Sequence, residues 1–379
     1  MTVACWIEGE LQIFMSISDI LSHHSQRTNL MADSSIPVQR RFADFDGKVT
    51  LNQVRELAED TSLVRLQTFH QIEQKVWEML NTEFFAKRPD VNLRVFALDD
   101  NVRDLSFLKL LPNVRRLTID CLHGSNIEAV AYLPQMESLG VGIFDLTDFS
   151  FLEQIDPEHL ITLYLQATRS KSPQITEIKR FQNLKKLGLE GQQKGIGSIA
   201  HLHKLEELVL KSVTVPDLNF LTGLERLWSL DISLGGTKNL SALRGSSQIK
   251  HLELWRVLGL ADLSPISEMM GLQNLFLQAL NHVEELPDLS RLTALRRISL
   301  DAIKNLRGID PLLSAPALEE FDHLSALGFT SEQYAPIIAK GALKRLNVGT
   351  GSQKQNHLIQ VMATAAGISC GLRGSFTHY

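Results

Sequence analysis

The residues able to do chemistry in this chain are scattered, and few stand at a spacing that chemistry requires. There is no Walker loop, no His-Glu-x-x-His zinc helix, no Gly-x-Ser-x-Gly elbow and no Cys-x-x-Cys pair. Gly195-Ile196-Gly197 is a lone glycine pair, too little to cradle a phosphate. His201 and His203 have the His-x-His spacing of a metal pair, but without a cysteine or carboxylate cluster nearby they are expected to be surface residues. Asp44-Phe45-Asp46-Gly47 has the start of a calcium loop, yet Phe42 and Gln53 stand where such a loop needs carboxylates, so an Asp-Gly turn is expected. Cys5, Cys121 and Cys370 are odd in number and lack metal spacing, which points to a reducing compartment. No enzyme activity, no metal and no cofactor is expected.

What recurs instead is a frame that positions side chains. Lys204-Leu205-Glu206-Glu207-Leu208-Val209-Leu210 contains Leu-x-x-Leu-x-Leu, which returns at Leu184–Leu189, Ile249–Leu254 and Leu295–Leu300. Taking the middle apolar residue as an anchor gives Phe96, Leu117, Leu139, Leu163, Leu187, Leu208, Leu230, Leu252, Leu275, Ile298, Phe321 and Leu346, spaced by 21 to 25 residues. One short strand per repeat, with alternate residues facing opposite ways, follows from that frame. Between strands, segments such as Asp217-Leu218-Asn219-Phe220-Leu221 and Asp262-Leu263-Ser264-Pro265-Ile266 predict helical or 3₁₀ turns opened by an aspartate.

On these residues the chain resembles the leucine-rich repeat family, over about 93–349, and most closely its 22-residue class of internalins and a phosphatase regulator. The resemblance implies an α/β solenoid, an arc of about twelve units with a concave parallel β-sheet and short convex helices or 3₁₀ turns. That family places asparagine five residues after the anchor to satisfy backbone groups at the corner. Here only Asn101 does so; Leu122, Phe144, Thr168, Gln192, Val213, Gly235, Val257, Leu280, Ile303, Ala326 and Gly351 stand at the other corners. Their backbone groups must then pair with one another or with water.

Flanking the array are an N-terminal extension (1–40), either poorly ordered or helical over Leu11 to Leu21, and a helical cap (41–92). The cap opens on Thr50 with Gln53 three residues on, a capping box. Residues 350–379 form a C-terminal cap, with a helix over Gln355 to Ala366, a Gly367 stop and a closing strand at Ile368-Ser369-Cys370. The caps are needed because the ends of a stacked array are apolar.

Outward positions on the strands lie one before, one after and three after each anchor, which makes Val95, Ala97 and Asp99 outward in the first repeat. The candidate partner-binding residues are Tyr164, Glu190, Lys211, Asp231, His251, Glu253, Trp255, Arg256, Phe276, Gln278, Arg297, Asp301 and Asp322. Trp255 and Phe276, on adjacent strands, form an aromatic centre, and aromatics dominate interface hot spots. Carboxylates around them, with Arg256 and Arg297 as counter-charges, suit a protein partner with a basic surface.

A net charge of −5 and a pI near 6.2 argue against nucleic acid. With no signal peptide and no stretch of 18 apolar residues, a cytoplasmic location without membrane contact is expected. The function expected is a non-enzymatic protein-binding module, monomeric when unbound, acting as an inhibitor or immunity-type protein that blocks a toxin or enzyme. Ribonuclease inhibitors built of leucine-rich repeats offer the analogy. A regulatory or scaffold subunit is the alternative, and an exported internalin-like receptor binder a third.

Overall fold

In the computed structural model each repeat frame becomes one short parallel strand followed by a tight turn. The structure describes residues 3–7, 10–14, 41–97, 99–170, 173–371, 374 and 376–379. The chain divides into two units, Met1–Leu205 and Glu206–Tyr379, each taken by itself below.

Unit one begins with an antiparallel pair, β1 (Val3–Ile7) and β2 (Glu10–Phe14), in register from Val3↔Phe14 to Ile7↔Glu10. Leu11–Phe14 is therefore strand, not the start of a helix; the rest of the 11–21 segment lies outside the described residues. The parallel sheet follows: β3 (Arg41–Asp44), α1 (Leu51–Glu59), β4 (Leu63–Thr68), α2 (Gln74–Leu80) and β5 (Asn92–Ala97). Then come a two-residue strand β6 (Arg103–Asp104), β7 (Arg116–Cys121), a second short strand β8 (Gly124–Ser125), β9 (Ser138–Ile143), β10 (Thr162–Leu165) and β11 (Lys186–Glu190). Thr50 and Gln53 do form the capping box of α1. Asp46 accepts from the Lys48 N–H at 2.8 Å, an ordinary Asx turn. The 41–92 region holds two sheet strands besides its helices, so two repeats precede those read from the sequence.

The register corrects the first anchor. Ala43, Leu66, Leu93 and Leu117 stack in line, so Leu93, not Phe96, is the inward residue of β5. The apolar alternation Val91, Leu93, Val95, Ala97 sets the inward face, and it outweighs the single phenyl ring of Phe96. Val95 and Ala97 are 3% and 2% exposed rather than outward, while Phe96 lies under the Arg94 guanidinium, 5.1 Å from its ring centre. Asn101 consequently does not occupy a corner; it is exposed, its own N–H donating to Asp99. At the inner end of β7, Cys121 is buried, and desolvation pushes its thiol up to about 12.

Unit two carries β12 (Glu207–Lys211), β13 (Ser229–Ser233), β14 (His251–Trp255), β15 (Asn274–Gln278), β16 (Arg297–Asp301), β17 (Glu320–Leu324) and β18 (Arg345–Val348), parallel and paired in chain order. Anchors Leu208, Leu230, Leu252, Leu275, Ile298, Phe321 and Leu346 share one line. The 3₁₀ turns open as expected: Asp217 accepts from the Asn219 N–H, and Asp262 from the Ser264 N–H. Between β17 and β18 the turn widens into α3 (Ser331–Ala339), and α4 (Gln353–Ala365) follows β18, with Ser369 bridging to Arg345 at the edge.

From β12 to β17 the corners of unit two use backbone, whereas after β18 the Asn356 side chain accepts from the Thr350 N–H. The residue after each strand, at Ser212, Leu234, Arg256, Ala279, Ala302 and Ser325, has a left-handed φ between 48° and 57°. That twist aims its N–H at the last strand carbonyl of the next repeat: Ser212 to Ser233 (2.7 Å), Leu234 to Trp255 (2.9 Å), Arg256 to Gln278 (2.9 Å), Ala279 to Asp301 (2.9 Å), Ala302 to Leu324 (3.1 Å). Val213, Val257, Leu280, Ile303 and Ala326 then turn into the core. At Gly235 the chains approach so closely that a Cβ would sit 2.0 Å from the Val213 carbonyl oxygen. Unit one also uses side chains: Gln192, 1% exposed, donates to the Gln166 carbonyl and accepts from the Glu190 N–H, the work expected of asparagine.

Two outcomes follow. A left-handed φ costs an L-residue about 1 kcal/mol, so Ala302→Gly should stabilise the protein by about 0.5–1 kcal/mol, read as a higher urea midpoint at unchanged m-value. His323 stands at an inner position where other repeats have leucine, isoleucine or valine, 2.9 Å from the Tyr334 hydroxyl. Burial lowers its pKa from 6.5 to about 4. The unfolded chain takes up the proton first, so this stabilisation is complete above pH 6.5 and is lost as pH falls toward 4. Roughly 2–3 kcal/mol should disappear between pH 7 and pH 4.5, and His323→Leu should flatten that dependence in denaturant titrations.

Candidate functional site

The face of the unit two sheet opposite the anchors is built in three rows, because parallel strands in uniform register place equivalent side chains side by side. The first row reads Glu207, Ser229, His251, Asn274, Arg297, Glu320, Arg345; the second Val209, Asp231, Glu253, Phe276, Ser299, Asp322, Asn347; the third Lys211, Ser233, Trp255, Gln278, Asp301, Leu324. Eleven of the candidate partner-binding residues lie in this unit, ten of them in these rows. Arg256 does not join them. It is the exposed corner residue after β14, held by its left-handed backbone.

Several of these positions are more enclosed than period-two alternation predicts. Lys211, Asp231, His251, Arg297 and Asp322 are buried, whereas Glu253, Trp255, Phe276, Gln278 and Asp301 are half-buried. One reason is lateral pairing. Arg345 grips Asp322 with both terminal nitrogens, at 2.6 and 2.9 Å, and reaches Glu320 through Nε at 3.0 Å. Arg297 donates from Nε to Glu320 at 2.8 Å, and Ser299 Oγ donates to Asp322 at 3.0 Å. Arg297 and Asp322 are thus spent on each other's neighbours, not held out for a partner. Desolvation lowers the Arg297 pKa against the pull of Glu320. Gln278 donates to Asp301 at 2.7 Å. Trp255 and Phe276 are diagonal neighbours, since Glu253 pairs with Phe276 and Trp255 with Gln278.

The second reason is a segment the sequence reading took only as part of a cap. Its described residues, Gly371, Gly374 and 376–379, lie over the strand beginnings, from β18 toward β14. Arg345 donates to the Gly371 carbonyl at 3.4 Å and Arg297 to that of Gly374 at 3.1 Å. Arg296 donates to the Thr377 carbonyl and lies between two rings, 4.6 Å from the centre of Phe376 and 4.2 Å from that of Tyr379. The Gln273 side-chain amide holds the Tyr379 backbone in both directions, each at 2.9 Å. His378 packs on Trp228 and His251, with ring centres 5.1 and 5.8 Å away. Trp228, Gln273 and Arg296 all stand one residue before their strands, a position the outward list omitted. The signal available for it was the recurrence there of long side chains able to reach over the strand ends.

In unit one the open face contains a polar chain in which Arg94 and Gln166 both hold Asp120, each at 2.6 Å. Tyr164 is flanked in register by Gly140 and Gly188, which leaves room for its ring along the sheet, and it is half-buried. Glu190, two residues beyond Gly188 on β11, is half-buried as well.

No known protein family and no curated protein matches the sequence. Solved structures do. A leucine-rich repeat protein of Leptospira interrogans aligns over 89% of this chain and 96% of its own, with a TM-score of 0.50 at 16% identity. TLR13, solved in complex with ssRNA13, aligns over 82% of this chain and 50% of its own, with the same TM-score and identity. An internalin of Listeria monocytogenes aligns over 85% and 88%, with a TM-score of 0.45 at 16% identity. The fold is a leucine-rich repeat fold.

The charge network carries a direct consequence. Arg345→Met leaves Asp322 buried without its bidentate partner and should destabilise the protein by about 3–5 kcal/mol. Arg345→Met with Asp322→Leu should recover much of that loss, and a double-mutant cycle in urea measures the difference.

Proposed function

We propose that this protein is a protein-binding module that grips one protein partner on the open face of its sheet and blocks it, as an inhibitor or immunity-type protein does. The observation that carries the reading is that this face already holds a polypeptide, the chain's own C-terminal segment. Side chains on and beside the first row engage its backbone through Gln273, Arg296 and Arg297, and its aromatic rings through Arg296. Backbone recognition with aromatic reading is how a surface takes an extended protein segment. Beyond the covered strand beginnings, Phe276 at mid-strand and Trp255, Gln278 and Asp301 at the strand ends remain half-buried. In unit two the partly exposed carboxylates of Glu253 and Asp301 are where a basic partner surface would be met. A cytoplasmic location is supported by the unpaired thiols of Cys121 and Cys370. No helix among the described residues is long and apolar enough to cross a membrane.

The test is an affinity capture from native lysate with the full chain, run beside Trp255→Ala/Phe276→Ala. The double variant should weaken capture of the specific partner by roughly 2–4 kcal/mol in affinity, measured with the purified partner by calorimetry. Unchanged affinity in a folded variant sinks the face. The partner's own activity then decides the mode: loss of activity on binding supports inhibition, and full activity in the complex overturns it in favour of a scaffold.

A further inference from the structure

We propose that Asp231, His251 and Glu253, joined by His378 of the C-terminal segment, form a site for a zinc-class divalent metal that latches this segment onto the sheet. The first three side chains offer one carboxylate oxygen, one imidazole nitrogen and one further carboxylate oxygen, all within 4.8 Å of one another. In a tetrahedral zinc site with bonds of about 2.0–2.1 Å, neighbouring ligand atoms stand about 3.3 Å apart. Nε2 of His251 lies 3.2 Å from Oδ1 of Asp231, already at that separation, and 4.0 Å from Oε2 of Glu253. Measured from His251, Glu253 stands only a fraction of an ångström beyond that separation, on a half-buried side chain.

The fourth ligand comes from the other layer. The His378 ring meets the His251 ring edge to face, centres 5.8 Å apart, and its Nδ1 atom is buried. Trp228 and Phe376 hold it there, at 5.1 and 4.8 Å between ring centres. Two imidazoles with two carboxylates select zinc and its late first-row neighbours over magnesium or calcium, which prefer oxygen alone.

Electrostatics favour a cation at this place. Asp231 and Glu253 are directly opposite each other on adjacent strands, an arrangement that is repulsive between two anions. Asp231 and His251 are 6% and 4% exposed, so their interactions are screened little by water. A second group, Asp156, Glu158 and His159, has similar spacing but is exposed, and it serves as an internal control.

The experiment uses the full chain, stripped with chelator, dialysed and titrated with zinc chloride by calorimetry. One zinc per chain is expected. His251→Ala and Glu253→Gln should each lower affinity by at least the roughly 10–100-fold that loss of a supporting group costs, and His159→Ala should leave it unchanged. Zinc should also slow carboxypeptidase removal of Tyr379 and His378, and His378→Ala should abolish the zinc effect on the residues before it. If His251→Ala does not fold, Glu253→Gln carries the test. Absence of stoichiometric binding overturns the site, as does binding that survives Glu253→Gln but is lost in His159→Ala. Binding that is indifferent to His378→Ala overturns the latch.

Discussion

Every repeat must leave its strand, turn outward and still satisfy the backbone groups stranded at the bend. In unit two that demand is met by a single left-handed residue, whose N–H reaches the carbonyl at the end of the following strand. The arrangement stabilises by about a hydrogen bond per repeat and costs about 1 kcal/mol of backbone strain in each. It also leaves the next residue free to be apolar, so Val213, Val257, Leu280 and Ile303 extend the core to the corner. A polar corner side chain would do the hydrogen bonding but forgo that burial. Gln192 shows this other solution in unit one, where its amide is enclosed and occupied by backbone.

The same register that lines up the corners lines up the outward side chains, and this accounts for the chemistry of the open face. Charged groups in line across 4.7–4.9 Å spacings, about the usual distance between strands, must alternate in sign or be bridged. Arg297, Glu320 and Arg345 alternate in the first row, and Asp322 in the second closes the set. Farther along, Asp231 and Glu253 do not alternate, with His251 beside them. The C-terminal segment touches both groups, through Arg297 and through His251.

What could be read from the sequence was whatever repeats. Anchors from Leu208 to Leu346 stand in register because apolar period and strand geometry say the same thing. Phe96 was misread because Leu93-x-x-Phe96 imitates the frame, and only the alternation from Val91 to Ala97 identifies the inward set. The corners were beyond reach for a different reason. Ser212, Leu234, Arg256, Ala279, Ala302 and Ser325 share no residue type, so nothing in them announces a left-handed φ. The unit two candidates other than Arg256 do lie on the open face, but their pairing was not legible: Arg297 and Asp322 are adjacent to their partners only in the folded sheet. The C-terminal segment depends on contacts more than seventy positions away, such as Arg297 to Gly374 and Gln273 to Tyr379, and no local pattern encodes those.

Cys121 gives unit one a chemical clock. With its thiol enclosed at the end of β7 and its ionisation pushed up to about 12, almost no thiolate exists at neutral pH to meet an alkylating reagent. Modification must wait until the strands around it part, so the rate at which this single sulfur becomes reactive counts the openings of the sheet. A stacked architecture can breathe locally without unfolding throughout. Here the frequency of that breathing is written into one atom.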